Sequence, residues 1–203
     1  MSTRKPKTPK VHPKILNDFM VYEGINDINS VFGALTVLDA YIQGNKFQDF
    51  VEEGFNRNKK SLALDLKTAQ GKEALLRLIA TADIFSENFK SGTMEKLGLD
   101  YATLKKLNPR LIYVSLKGFL PGPYEHRTAL DEVVQMMGGL AYMTGRSGDP
   151  LRAGTSVNDI MGGMFGAIGA MAALAQRAQT GLGQEVQSAL FENNVFLVAQ
   201  HMM

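Results

Sequence analysis

The chain has 203 residues, of which 45% are hydrophobic and 21% charged, and this composition is typical of a globular protein with one sizeable core. A net charge of +2 argues against a strongly polyanionic partner such as nucleic acid. Cysteine is absent, which excludes disulfides, thiol nucleophiles and thiolate metal sites. No uninterrupted apolar run is long enough to span a membrane or to form a signal-sequence core, so we expect a cytoplasmic protein with no membrane partner.

The first residues have a composition that disfavours folding. Residues 2–14 contain three prolines, five lysines or arginines and no acid, so they cannot bury enough apolar surface to become ordered. We therefore predict a flexible basic tail and lead-in over residues 1–30. A basic arm for nucleic acid is the less favoured alternative, because the basic residues alternate with proline rather than with aromatic residues.

From Leu62 onward, short β-rich runs alternate with amphipathic helical stretches, which predicts βαβ units. Thr68 is suited to cap a helix that continues to Thr81, and residues 84–86 follow as a strand. A second helix over residues 101–107 stops at Asn108-Pro109, and residues 111–115 form the next buried strand. The predicted fold class is α/β, a Rossmann-like open parallel sheet with flanking helices.

Polar residues follow both predicted strands, in Glu87-Asn88-Phe89 and in Lys117-Gly118-Phe119. Ligands of open α/β sheets bind beyond the carboxyl ends of the strands, so we expect the functional site there. The Asn88 amide is suited to a ribose or pantetheine group. Ammonium groups suited to phosphates are present on three lysines, for which ordinary solvated side chains are the alternative: Lys67, Lys90 and Lys96.

Asp159 stands directly ahead of a charge-free, glycine-rich run over residues 160–170. If a helix begins there, its backbone N–H groups and positive end should keep the carboxylate ionised and available as a nucleophile. An ordinary N-cap is the alternative, because aspartate is a preferred capping residue.

The same run predicts a smooth helix face that another element approaches closely. The small residues recur at spacings of three and four: Gly162, Gly166, Gly169, Ala170 and Ala173. A membrane GxxxG motif is disfavoured, because the run is short and is followed by Gln176 and Arg177. We interpret the methionines of this region as adaptable core residues: Met136, Met137, Met143, Met161, Met164 and Met171.

Other chemistries have little support in the sequence. The only histidines are His12, His126 and His201, so neither a histidine metal cluster nor a Ser-His-Asp triad is favoured, and no metal site is predicted. No phosphate-binding Gly-x-x-x-x-Gly-Lys-Ser/Thr motif is present.

Taken in order, a series of short segments resembles the class III coenzyme A transferases, the family that includes formyl-CoA transferase, carnitine CoA-transferase and α-methylacyl-CoA racemase. Each segment is weak alone, but the ordered series is specific. The segments are residues 56–67, Ser86-Glu87-Asn88-Phe89, Leu97-Gly98-Leu99, Asn108-Pro109-Arg110-Leu111-Ile112-Tyr113, Lys117-Gly118-Phe119, Ser156-Val157-Asn158-Asp159 and Thr180-Gly181-Leu182-Gly183-Gln184-Glu185-Val186-Gln187.

The resemblance implies a CoA-binding set and no tightly bound cofactor, with acyl-CoA and a small carboxylic acid as substrates. The implied CoA-binding residues are Leu64, Asp65, Leu66, Lys67, Asn88, Phe89, Lys96, Thr128 and Asp131. Lys90 is added to this set as an ammonium group suited to a phosphate. Asp131 is also an active-site candidate, with an ordinary helix-capping acid as the alternative. The resemblance further implies an interlocked homodimer.

The implied chemistry is CoA transfer through an aspartyl-CoA intermediate on Asp159, with oxyanion donors expected from the N–H groups of residues 160–162. In the racemase branch, a histidine precedes the acid that matches Asp131. Leu130 occupies that position here and cannot exchange a proton, so transferase is favoured over racemase.

The chain departs from the family pattern at both ends. Residues 33–39 resemble the family's first strand, but too few residues separate them from Phe55 for a crossover helix and a second strand. Residues 31–203 are therefore expected to form a partial large domain without the family's small domain. A truncated inactive fragment and a protein that binds CoA without turnover remain as alternatives.

Overall fold

The computed structural model describes residues 20–22, 59–60, 62–127 and 129–201. Four strands form one sheet in the order β1 (Met20–Tyr22), β2 (Ile84–Glu87), β3 (Ile112–Lys117) and β4 (Glu185–Ala189). β1 is antiparallel to β2, whereas β2, β3 and β4 are mutually parallel. The predicted α/β class with a parallel sheet is confirmed.

Helices occupy both faces of this sheet. They are α1 (Ala69–Ile79), α2 (Thr93–Leu97), α3 (Tyr101–Leu107), α4 (Asp131–Met137), α5 (Leu140–Thr144), α6 (Val157–Thr180) and α7 (Leu190–Val198), followed by a 3₁₀ turn at Ala199–His201.

Alternating strand residues separate two hydrophobic cores. Phe85 and Tyr113 point to one face, where they pack with residues of α1, α2 and α3. Ile112 and Val114 point to the other face, where they pack against Ala170 of α6. The period-two alternation of these strands therefore places helices on both sides, as expected for an open α/β sheet.

Local signals place α1 and α3 close to the predicted bounds. The Thr68 hydroxyl accepts a hydrogen bond from the Gly71 N–H at 3.1 Å, as predicted for an N-cap. The helix ends at Ile79, two residues before the predicted end, and the Asn108 amide donates to the carbonyls of Ile79 and Ala82 at 3.0 and 2.9 Å. The predicted helix over residues 101–107 is confirmed.

The end of the sheet differs from prediction in two places. β3 continues two residues past Ser115, because Leu116 and Lys117 pair with Ser188 and Ala189 of β4. From the sequence, residues 188–192 are expected to be helical; this expectation is wrong at Ser188 and Ala189, since both residues belong to β4 and α7 begins at Leu190.

The small residues of α6 pack directly against the sheet. A Cβ atom added to Gly166 would lie 2.7 Å from a Leu116 methyl carbon, and one added to Gly169 would lie 2.5 Å from a Val186 methyl carbon. The predicted close approach is confirmed, and the surface it contacts is the chain's own sheet.

The prediction that the methionines fill the core was wrong. Five of the six are exposed: Met136, Met137, Met143, Met164 and Met171. Met161 is half-buried. For Met164 and Met171, the reason is that α6 turns its glycine and alanine face to the sheet, which leaves its larger apolar side chains on the outside. The other three exposed methionines lie on α4 and α5.

α6 is the one helix of the described ranges whose length and composition would allow it to cross a membrane, with 24 residues and a mean hydropathy of 1.3 over its most apolar window. Core helices of globular proteins also meet this criterion, and the small-residue face of α6 packs on the sheet. Outside the described residues lie the predicted tail over residues 2–14 and the strand-like residues 33–39, whereas β1 falls within the predicted lead-in.

Candidate functional site

The carboxyl ends of β2, β3 and β4 lie at one edge of the sheet because the three strands are parallel. α6 runs in the opposite direction. Near its start, Ser188 of β4 donates a hydrogen bond to the Gly162 carbonyl at 3.0 Å, and near its end, Arg177 pairs with Asp83, which precedes β2. The start of α6, which carries Asp159, therefore lies at the carboxyl edge.

Asp159 is the third residue of α6 and not its cap, so the expectation that the helix begins at Asp159 was wrong. The physical reason lies in Asp131, the first residue of α4. Its Oδ1 atom accepts hydrogen bonds from the N–H groups of Asn158 at 2.7 Å and Asp159 at 3.4 Å. A carboxylate from another helix thus caps α6.

Asp131 is held in place by several polar groups and is only 3% exposed. The fully buried Gln135 donates to Asp131 Oδ2 and also accepts a hydrogen bond from the Ala153 N–H at 2.8 Å. Arg152 lies with Nη2 at 3.6 Å from the same Oδ2 atom. Asp131 is therefore a capping acid, but for α6 rather than for its own helix.

The two carboxylates are electrostatically linked. Partial burial raises the pKa of the Asp159 carboxyl above its ordinary value. The negative charges of Asp131 and Glu132 raise this pKa further, whereas the positive charge of Arg152 lowers it. The expectation that the helix end favours the ionised form is therefore not met, because the first N–H groups of α6 already bind Asp131.

The N–H groups of residues 160–162, which were predicted to stabilise an oxyanion, do not lie at the start of the helix. Because α6 begins at Val157, these residues lie beyond its first N–H groups. The Ile160 N–H, for example, donates to the Ser156 carbonyl at 3.1 Å. The prediction of free donors there was wrong.

A second polar cluster lies where β2 and β3 end. Glu87 accepts hydrogen bonds from the Ser115 hydroxyl at 2.8 Å, the Lys117 ammonium at 2.7 Å and the Phe89 N–H at 2.9 Å. Lys117 also donates to the Phe89 carbonyl at 2.6 Å. These contacts were missed from the sequence: both strand ends were identified, but which side chains meet across them depends on the strand register.

The structure brings together some of the predicted CoA-binding residues. Leu64 and Leu66 are half-buried and pack, with Phe89, against the core beneath α1, α2 and α3. The polar members are exposed: Asp65, Lys67, Asn88, Lys90 and Lys96. Thr128 lies outside the described residues.

The two polar clusters are joined through the residue after β3. Gly118 packs so closely on Ala129, two residues before Asp131, that an added Cβ would lie 2.1 Å from the Ala129 Cβ. The Gly118 carbonyl also accepts a hydrogen bond from the Phe191 N–H at 3.0 Å. The carboxyl edge therefore carries the Asn88–Phe89 segment on one side and the two carboxylates on the other.

The side chains considered for other chemistries are exposed. Leu130, ahead of Asp131, is exposed and apolar, and His126 is exposed and 2.9 Å from Glu125. Among the residues that the structure describes, no group of three or more His, Asp or Glu side chains is placed to hold a metal ion.

Comparison with solved structures extends the similarity to three dimensions. A CAIB/BAIF family protein from Brucella suis is 41% identical, with a TM-score of 0.68 over 71% of this chain and 39% of that one. A hypothetical protein from Mycobacterium tuberculosis is 38% identical, also with a TM-score of 0.68, over 72% of this chain and 43% of that one.

Curated relatives carry transferase names. An acyl-CoA transferase of Fusarium pseudograminearum is 46% identical over 70% of this chain and 32% of its own length. A formyl-CoA:oxalate CoA-transferase of Rhodopseudomonas palustris is 43% identical over 66% and 32%, and a succinyl-CoA–L-malate CoA-transferase beta subunit of Chloroflexus aurantiacus is 41% identical over 68% and 35%. The chain spans about a third of the length of these relatives.

The sequence model of one family matches most of the chain, over residues 39–203. The matched part includes β2, β3 and β4 and the carboxylates of Asp131 and Asp159. It also includes the polar cluster of Glu87, Ser115, Lys117 and the Phe89 backbone, hereafter the Glu87 cluster. This chain therefore belongs to CoA-transferase family III.

Proposed function

We propose that this protein transfers CoA from an acyl-CoA thioester to a small carboxylic acid, with Asp159 as the nucleophile. The observation that carries the proposal is the position of Asp159, exposed at the carboxyl edge of the sheet on the first turn of α6 and beside the buried Asp131. Family membership supports the reaction class.

In the first half of the reaction, an Asp159 carboxylate oxygen attacks the thioester carbonyl carbon of the acyl-CoA. The C–S bond breaks, CoA thiolate leaves, and a mixed anhydride forms. The thiolate then attacks the Asp159 carbonyl carbon of the anhydride and displaces the donor carboxylate. The product is an aspartyl-CoA thioester, so one difficult exchange is divided into easier steps.

In the second half, the acceptor carboxylate attacks the aspartyl thioester carbon and expels CoA thiolate, which gives a second mixed anhydride. The thiolate attacks the acceptor's carbonyl carbon. The new acyl-CoA departs and the Asp159 carboxylate is regenerated, so every atom is balanced without another reactant.

The neighbouring charges suit a reactive carboxylate. A raised pKa makes an ionised carboxylate a stronger nucleophile, and the negative charges of Asp131 and Glu132 act in that direction. Asp131 also fixes the start of α6, because it binds the N–H groups of Asn158 and Asp159. These contacts support the proposal of a charged nucleophile on a rigid support.

We assign CoA binding to the side of the carboxyl edge that carries the Asn88–Phe89 segment. The Leu64–Lys67 segment and the Asn88–Lys90 segment flank the same core cluster, and Lys96 extends the positive charge nearby in the sequence. Thr128 and Asp131, the first residue of α4, complete the proposed set. CoA is a substrate in this proposal and not a resident cofactor.

The proposal is tested by exchange of isotopically labelled succinate into succinyl-CoA, with a short panel of other acyl-CoA and acid pairs. The unaltered chain should exchange label, and Asp159→Asn should not. The matched control is Glu132→Gln, which removes an exposed neighbouring charge and should retain exchange. Exchange that survives Asp159→Asn would rule out the assigned nucleophile.

We also propose that the protein forms a homodimer. The small-residue face of α6 is occupied by the chain's own sheet, and the opposite face supports the proposal with an exposed apolar row, hereafter the outer row. The outer row consists of Ile160, Met164, Ile168 and Met171.

Sedimentation velocity tests the dimer. The unaltered chain should sediment as a dimer and Met164→Glu as a monomer, because a charge would be buried in the interface. Leu107→Glu is the control, since this exposed residue ends α3 on the other face of the sheet. The proposed dimer would be contradicted if the unaltered chain sedimented as a monomer. It would also be contradicted if Met164→Glu and Leu107→Glu reduced the dimer fraction equally.

A further inference from the structure

The Glu87 cluster uses charged groups that the proposed transfer steps do not require. The side chain of Glu87 is 2% exposed and that of Lys117 is 17% exposed, so the pair is largely withdrawn from water. A buried ion pair stabilises a fold little more than apolar residues of the same shape, because both charges lose their hydration. Sheet stability alone therefore gives no reason for this pair.

The contacts of the pair converge on one backbone position. Glu87 accepts from the Phe89 N–H at 2.9 Å, and Lys117 donates to the Phe89 carbonyl at 2.6 Å. Both polar groups of the Phe89 backbone are thus bonded to one ion pair. The Ser115 hydroxyl bonds the other Glu87 oxygen at 2.8 Å, which fixes the carboxylate against β3.

This arrangement fixes the segment just beyond β2. Asn88 lies between two backbone positions that are tied to the sheet, and its own side chain is exposed at the carboxyl edge. Phe89 packs against the core from the same segment. Loss of the Glu87–Lys117 ion pair would free the Asn88–Phe89 segment while both of its side chains remained present.

We infer that Glu87 and Lys117 are positioning residues that hold the Asn88–Phe89 segment in the conformation that binds CoA. This inference rests on the proposed function, because CoA binding by the segment is part of it. Neither residue transfers a group or a proton; their effect is on affinity for CoA.

The chain provides a matched control at the other end of β2. Arg177 pairs with Asp83, just before β2, and donates to the Arg110 backbone carbonyl at 2.9 Å. Lys117→Met and Arg177→Met therefore each remove the cation of an ion pair that also bonds a backbone carbonyl. They differ in their distance from the Asn88–Phe89 segment.

The experiment measures the Kd for free CoA by calorimetry, together with the melting temperature, on the 203-residue chain and both variants. Both variants should melt at lower temperature. Lys117→Met should weaken CoA binding by about tenfold, the scale on which residues that support a binding group act, whereas Arg177→Met should leave Kd within about twofold.

A double-mutant cycle distinguishes positioning from direct contact. If Lys117 acts through the segment, Lys117→Met should have little further effect on Kd once Asn88→Ala is present. Lys117→Arg, which keeps a cation, should retain most of the affinity. Independent, multiplicative losses from Lys117→Met and Asn88→Ala would show a direct contact with CoA and overturn the positioning role.

The remaining outcomes are also decisive. Equal weakening of CoA binding by Lys117→Met and Arg177→Met would reduce the pair to a stability element and overturn the inference. An unaltered chain that does not bind CoA would overturn both the inference and the proposed function. CoA binding that depends on Lys117, in a chain with no acyl exchange, would support the inference and contradict only the transfer.

Discussion

The two ends of α6 hold charged residues in opposite circumstances. Near the carboxyl end, Arg177 is buried, and its guanidinium donates to the Asp83 carboxylate and to the carbonyls of Asp83 and Arg110. Near the amino end, Asp159 is exposed at the surface, and the pKa of its carboxyl is raised by partial burial and by the nearby carboxylate of Asp131. One end is held to the sheet by an ion pair, whereas the other carries an exposed carboxylate close to a second carboxylate.

If Asp159 is the nucleophile, as proposed, the two ends of α6 separate stability from chemistry. A buried ion that is held by several hydrogen bonds contributes to structure but is not available to a substrate. A partly exposed carboxylate with a raised pKa, supported by a capped helix start, is available to a substrate. Variants at the two ends should therefore change different measured quantities.

The largest expected effect is at the amino end. Asp159→Ala should abolish acyl exchange because it removes the nucleophile, while the melting temperature changes little. The Asp131 carboxylate can still cap α6 through backbone N–H groups in this variant. Labelled-succinate exchange measures the activity and thermal melting measures the stability. A large fall in the melting temperature of Asp159→Ala would contradict the expectation that this end of α6 affects activity and not stability.

At the other end, Arg177→Met should lower the free energy of unfolding by about 2 kcal/mol, because buried carbonyl groups lose a charged donor. Exchange per folded molecule should stay near that of the unaltered chain. Urea unfolding and exchange assays on the same preparation test this prediction. A large fall in exchange per folded molecule would show that the fastened end also controls the chemistry.

Two glycines in the middle of α6 predict smaller changes in the free energy of unfolding, with opposite signs. Gly169→Ala should lower the free energy of unfolding by about 1 kcal/mol, because the stiff Val186 side chain leaves no room for the methyl group. Gly163→Ala should raise it by up to about 1 kcal/mol, since nothing lies near the added Cβ and alanine favours helix. The same sign for both variants in urea unfolding would contradict the observed packing.

The smallest effect concerns pH. Asp159 must be ionised to attack, so exchange should fall as pH decreases through its raised pKa. Asp131→Asn removes a negative charge and should lower the pKa of Asp159, which moves the acid limb of kcat/KM to lower pH. Arg152→Met removes the opposing positive charge and should move the limb to higher pH. Shifts in the same direction would argue against this electrostatic link.

Local features of the fold could be predicted from the sequence. Thr68 and the stop at Asn108-Pro109 act within a few residues of the helices they bound, so α1 and α3 lie where expected. Strand cores were identified for the same reason. The bounds that differ depend on partners distant in sequence, such as the pairing of Lys117 with Ala189.

The geometry of the candidate site could be predicted only in part. Asp131 and Asp159 were both identified as candidates, but the capping of α6 by Asp131 joins residues 28 positions apart and leaves no local signal. The same holds for Glu87 and Lys117, which meet only because β2 and β3 pair in this register. The exposed methionines show a further limit: the small residues of α6 predicted a close approach, but not that Met164 and Met171 of the same helix would be left exposed.

The most direct test of the proposed role of Asp159 is a mass-spectrometric search for an adduct after incubation with succinyl-CoA and a panel of other acyl-CoAs. Hydroxylamine traps an acylated or CoA-linked aspartate as a hydroxamate. We predict a modified peptide with the change on Asp159 in the unaltered chain and no such peptide from Asp159→Asn. Folded protein that binds CoA but forms no adduct at Asp159 with any donor would contradict the proposed nucleophile.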